Sequence, residues 1–159
     1  MVPGRQRTRS RALGGRSILA DPRTTSSSAA LNQRIKHREP FRPFAPAVLA
    51  DHARDWFELD VPSPFMLLAP PVRAGRTDKL AGVVHVDRTA RVQTVDPSTA
   101  PAFASLIEYF HQITGTPVVL NTSFNDREPI VETPAHALAT FQACDLDAVC
   151  IGDYLVERE

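Results

Sequence analysis

Apolar and polar positions alternate along the chain with two different periods. From Pro101 to Thr114 the spacing is helical: Phe103, Leu106, Ile107 and Phe110 share one face, and Gly115 stands just past the end as a terminator. Thr133-Pro134 predicts a second helix through Ala143, with Thr133 as cap and Pro134 as first helical residue. A third is expected over Ala29 to His37, after a Thr24–Ser28 loop ending in a cap, and a helical turn over Asp51 to Phe57. Short apolar runs predict strands at Ser17–Ala20, Phe65–Leu68, Val83–Asp87, Arg91–Val95, Pro117–Leu120 and Ala148–Val156. An Arg/Gly loop at 73–79 joins the second and third of these. Pro40, Pro43 and Pro46 alternate with Phe41, Phe44 and Ala45, which excludes helix and predicts an extended segment held down by aromatic anchors. Helices interleaved with strands predict an α/β (α+β) domain around a mixed sheet.

The length of 159 residues suits one domain, with residues 1–10 expected as a flexible basic lead-in to a domain over 11–159. The formal net charge of zero conceals a split. Residues 1–42 hold nine Arg and Lys36 against Asp21 and Glu39, whereas the remainder holds sixteen acidic and eight basic groups. Such asymmetry points to an anionic ligand or nucleic acid at the basic end, or to a basic segment lying on an acidic partner surface. Cys144 and Cys150 lack metal-ligand spacing and read as buried thiols of a reducing compartment. No apolar run approaches a membrane span, and no apolar stretch follows the N-terminal arginines as a secretory signal requires, so a cytoplasmic location is expected.

Three dense polar stretches carry the candidate chemistry: residues 11–23, residues 35–46, and Val118 to Asn125. Arg presents a planar fork that matches two phosphate oxygens at once, and Lys a compact point charge. Lys36, Arg38 and the Pro-stiffened Arg42 therefore suit a phosphorylated small molecule, although Lys36 and Arg38 are also the cations a helix C-terminus favours. Asn121, Ser123 and Asn125 follow a buried strand, where ligands of α/β sheets collect, and also have the residue types of an ordinary turn. His85 and Asp87 could share a proton or a metal, but no third ligand stands at suitable spacing, so a structural or substrate-positioning role is expected. P-loop, GxSxG and HExxH patterns are absent.

Arg11-Ala-Leu-Gly-Gly-Arg16-Ser-Ile-Leu-Ala-Asp-Pro-Arg, Ile35-Lys36-His-Arg38-Glu-Pro-Phe-Arg42-Pro-Phe-Ala-Pro, His85-Val-Asp with Thr-Ala-Arg91-Val-Gln-Thr-Val, and Asn121-Thr-Ser123-Phe-Asn stand in one order. Together they resemble the C-terminal part of the NodU/CmcH-type O-carbamoyltransferases. The resemblance implies a YrdC-like mixed twisted sheet with flanking helices. It further implies that carbamoyl phosphate and ATP are converted to a carbamoyl-adenylate, with phosphate and pyrophosphate released. Carried over by motif, Lys36, Arg42, Arg91 and Ser123 would act on the reacting phosphates with Asn121 beside them. Arg11, Arg16 and Arg38 would hold nucleotide phosphates or support the site. ATP is expected with Mg²⁺, for which no protein ligand is named, and no metal site of the chain's own is expected.

Transfer of the carbamoyl group to a hydroxyl is the work of a Kae1-like, metal-bearing domain in that family, expected here as a separate subunit. Residues 4–10 keep only Gly-Arg of the family's lead-in, and Asp126-Arg127-Glu128 is one residue short and lacks the usual Gly. A detached fragment that binds nucleotide without turnover, and a basic RNA-binding module, are the alternative readings.

Overall fold

The structure, a computed structural model, describes residues 12–37, 39, 41–126 and 128–158. The expected lead-in over residues 1–10 therefore lies outside the described residues. Four strands form a mixed sheet in the order β1-β4-β2-β3: β1 Ser17–Ala20, β2 Ala45–Leu49, β3 Gln93–Val95 and β4 Val118–Ser123. β4 pairs antiparallel with both β1 and β2, whereas β2 and β3 are parallel, so β1, β2 and β3 all point the same way. The helices are α1 Thr25–Leu31, α2 Ala53–Trp56, α3 Pro101–Thr114 and α4 Pro134–Ala143. A separate hairpin of β5 Ala148–Ile151 and β6 Tyr154–Glu157 closes the described chain.

The sheet buries both faces. Ile18, Val48, Val118 and Leu120 join Leu31, Ile35, Trp56, Phe57, Leu80 and Phe141 in the larger core. Leu19, Ala47, Leu49, Val95 and Val119 face α3 through Phe103, Ala104 and Ile107. The alternation along β4 thus serves two cores, which explains why Val118 to Leu120 reads as an unbroken apolar run.

Several elements depart from the sequence reading. The first helix begins at Thr25, because the Thr24 hydroxyl accepts from the Ser27 amide and caps it earlier than expected. It then widens into a π-helical turn over Asn32–Lys36, closed by His37 N–H to Asn32 O at 2.7 Å, with His37 at φ +46 ending it.

Residues 65–68 and 83–87 are not strands. The segment around Ser63 to Val72 does run along residues 88–94, with Thr94 N–H donating to Ser63 O, Val92 N–H to Leu68 O and Ala90 N–H to Pro70 O. Pro62, Pro64, Pro70 and Pro71 remove the donors a ladder needs, and Met66 at φ +57 breaks the extended path. Residues 83–87 instead enter a tight turn in which the His85 amide donates to Thr89 O.

Ala148–Val156 is a hairpin and not one strand, turned by Gly152-Asp153 with Gly152 at φ +61. Phe44 is buried as an anchor, but Phe41 is 73% exposed. Cys144 is buried as expected, whereas Cys150 is exposed; both are free thiols.

Gly14 shows why the first polar stretch contains a glycine pair. It takes φ +91, and a Cβ there would lie 2.2 Å from Cδ1 of Phe103 on α3. Its amide donates to the Ser17 hydroxyl at 2.9 Å, leading the chain into β1. Gly14→Ala is expected to destabilise the fold by about 1–3 kcal/mol through overpacking and the positive φ, read as a lower urea midpoint at unchanged slope.

Candidate functional site

The direction of the strands decides where the candidate residues meet. Arg16 immediately precedes β1, Arg42 stands three residues before β2, and Arg91 two residues before β3. Ser123 is the last residue of β4, paired with Ser17 at the start of β1. All four therefore lie at one end of the sheet, formed by the amino ends of three parallel strands and the carboxyl end of the fourth. The carboxyl-end rule invoked for Asn121, Ser123 and Asn125 concerns β4, whereas the three arginines stand at the amino ends of their strands.

Lys36 reaches that end from the π-turn. Its Nζ donates to Ser123 O at 2.7 Å, Asn125 O at 2.6 Å and Asn125 Oδ1 at 2.8 Å, with Ser123 Oγ at 3.5 Å. The Ser123 hydroxyl donates to the same Asn125 Oδ1 at 2.6 Å, so two donors converge on one oxygen. Asn125 Nδ2 closes the loop by donating to Glu128 O at 2.8 Å. Arg16 braces the loop from the other side: its carbonyl accepts from Phe124 N–H, and its Nη1 donates to Val131 O at 3.2 Å. The third polar stretch thus begins inside the sheet, since Asn121, Thr122 and Ser123 belong to β4 itself.

Arg42 and Arg91 share the sheet end with this cluster, standing before β2 and β3. Arg42 pairs with Glu39 at 3.7 Å, both side chains more than half exposed, and lines a cavity of about 310 Å³ with Asn32, Phe44 and His85. Arg91 is exposed at the mouth of β3. Asn121 is 1% exposed; Nδ2 donates to Gln93 Oε1 at 2.7 Å, while its buried Oδ1 has no partner among the described residues. That bond crosses β2 at the level of Ala45 and Ala47, where only methyl groups leave room for it. Arg11 and Arg38 lie outside the described residues.

His85 Nδ1 lies 3.2 Å from Asp87 Oδ1, and the same oxygen accepts from Thr89 N–H at 2.9 Å and Thr89 Oγ1 at 2.7 Å. The Thr89 hydroxyl is the main reason the Asp87 carboxyl is held down to about 2. This carboxylate organises a turn, with Arg88 at φ +63 beside it. Sequence reasoning missed Gln93 and the Asn125 contact to Lys36; neither has a local signal, because both depend on strand register and on a helix widening by one residue.

With this geometry in place, comparison with known proteins is informative. The family model described as carbamoyltransferase C-terminus matches residues 1–158. The chain belongs to the carbamoyltransferase C-terminal family. The nodulation protein NolNO of Sinorhizobium fredii is 45% identical over 161 residues, covering 99% of this chain and 24% of its own length. The nodulation protein NolO of Bradyrhizobium diazoefficiens is 44% identical, covering 99% of this chain and 29% of its own. The nodulation protein U of the latter organism is 44% identical over 115 residues, covering 72% and 20%. This carbamoyltransferase C-terminal chain therefore spans about a quarter of the length of the curated relatives it matches. No helix among the described residues is long and apolar enough to cross a membrane.

Lys36→Met leaves the Ser123 and Asn125 carbonyls without their charged donor and is expected to cost about 1.5–3 kcal/mol. Hydrogen exchange should accelerate at the Phe124 and Val131 amides, and unchanged protection there would show that Lys36 does not hold the loop. For Asp87 the folded value lies below the ordinary 3.8, so its contribution is complete above about pH 4 and is lost as pH falls toward 2. The Thr89 amide resonance should titrate with a midpoint near 2; a midpoint near 3.8 would contradict the turn described.

Proposed function

We propose that this chain forms carbamoyl-adenylate from carbamoyl phosphate and ATP. The observation that carries this reading is the gathering of Arg16, Arg42, Arg91, Lys36 and Ser123 at one end of the sheet. In this reading carbamoyl phosphate reacts with water to give carbamate and phosphate. A carbamate oxygen then attacks the α-phosphorus of ATP and pyrophosphate leaves. Each step moves charge among phosphoryl oxygens and needs fixed cations rather than a protein nucleophile.

The local geometry is consistent with a seat for one phosphoryl oxygen. Lys36 Nζ and Ser123 Oγ already converge on one oxygen, Asn125 Oδ1, and a phosphoryl oxygen of the substrate would take that oxygen's place as Asn125 turns aside. Among the described residues the Arg42 side chain is held by an exposed pair with Glu39, a contact worth about 0–1 kcal/mol, which a phosphate can displace. ATP would bring its own Mg²⁺, a hard cation that keeps several waters. The groups at this end are mostly cationic donors that suit phosphate oxygens, so no protein ligand for the metal is assigned.

These residues are assigned the activation step, and passage of the carbamoyl group to an acceptor hydroxyl would fall to a Kae1-like module. The purified chain should release pyrophosphate from ATP only when carbamoyl phosphate is present. Arg42→Ala and Ser123→Ala should each abolish release while the melting temperature stays within a few degrees of the parent. Absence of release, with no change in melting temperature on adding either substrate, would refute the assignment.

A further inference from the structure

A second constellation lies at the opposite end of the sheet, where the parallel strands β2 and β3 finish. Leu49 ends β2 and passes the chain into a tight turn over Ala50–His52. The His52 ring packs edge-on against that of His111 on α3, with centroids 4.8 Å apart and planes at 74°. Glu108 precedes His111 by three residues and therefore projects from the same side of α3. Ligand atoms of His52, Glu108 and His111 all lie within 4.8 Å of one another. His52 and Glu108 also line an open cavity of about 490 Å³, together with Asp51, Tyr109 and Gln112.

Among the described residues no hydrogen bond or ion pair engages either imidazole ring. Glu108 has one modest contact, accepting from Gln112 Nε2 at 3.3 Å, which orients the carboxylate and leaves its other oxygen available. Asp51 also lines the cavity, and the Lys36 cluster stands at the far end of the sheet.

We infer that His52, Glu108 and His111 bind one divalent transition-metal ion of the zinc class. Two imidazole nitrogens and one carboxylate oxygen are a donor set for zinc-like ions, whereas Mg²⁺ and Ca²⁺ take oxygen ligands throughout. Bonds of about 2.0–2.2 Å require the three ligand atoms to close on the ion; the Glu108 side chain is exposed and has room to turn. Three protein ligands leave a fourth position facing the cavity, open to water or to an anionic group. The ion also ties the turn after β2 to α3. Nothing in the local sequence announces it, because His52 lies far from Glu108 and His111 and only the fold joins them. This inference does not depend on carbamoyl-adenylate formation.

The test uses the 159-residue chain, stripped of metal with a chelator and titrated with Zn²⁺ by calorimetry and with Co²⁺ by visible absorption. One ion per chain, a raised melting temperature and the absorption of four- or five-coordinate Co²⁺ are expected. His111→Gln and the surface change Glu108→Gln should each weaken Zn²⁺ binding by at least about tenfold, and Cys150→Ser should leave it unchanged. No binding, equal affinity in Glu108→Gln and the parent, or a thiolate-to-cobalt absorption band would overturn the proposal.

Discussion

One ammonium group fixes the relation between the helical and sheet parts of this molecule. Lys36 Nζ sits on three oxygens of Ser123 and Asn125, all within 2.8 Å, and so joins the π-turn to the end of β4. Removing it would leave carbonyls crowded together without a donor, a cost comparable to losing several ordinary hydrogen bonds. The loop beyond β4 hangs from the same point, through Phe124 N–H on Arg16 O and Val131 N–H on Phe124 O. The π-turn is the geometric condition for this contact: Ile35 enters the core while its neighbour Lys36 reaches the strand end.

Strand polarity does the rest. Three arginines placed just before three parallel strands would be scattered in a fold of other topology; here they come to one end. Asp145 of the later chain pairs with Arg34 of the π-turn and with Arg158. Arg158 also donates to the Phe141 and Cys144 carbonyls, capping α4 with a cation where the helix leaves its oxygens unpaired. A chain of zero net charge thus carries a polarised surface, with cations and the His–Glu–His group at opposite ends of one sheet.

The sequence was legible wherever a local rule decided the outcome. α3 and α4 begin and end where Pro101, Gly115, Thr133 and Pro134 say they should, and β1 keeps its expected bounds. It was misleading where two local signals competed. Phe65–Leu68 has the composition of a strand, yet flanking prolines leave it as an extended loop with Leu67 facing solvent. The Gly152-Asp153 turn was visible in the sequence but was read through as strand. Among the site residues, Lys36 and Ser123 were found and do meet, whereas their shared partner Asn125 Oδ1 follows from tertiary geometry alone. Asn121 is expected just past a buried strand, whereas it lies inside β4 and is buried, a difference that no local signal marks.

The Asn121–Gln93 bond places a constraint on how this chain can vary. It spans the full width of β2, and its length is fixed by two strand spacings of about 4.8 Å each. Ala47 beneath it cannot grow without forcing the amides apart, and either amide, once shortened, would strand its partner in a dry interior. A substitution at any one of positions 47, 93 and 121 therefore disturbs the other two.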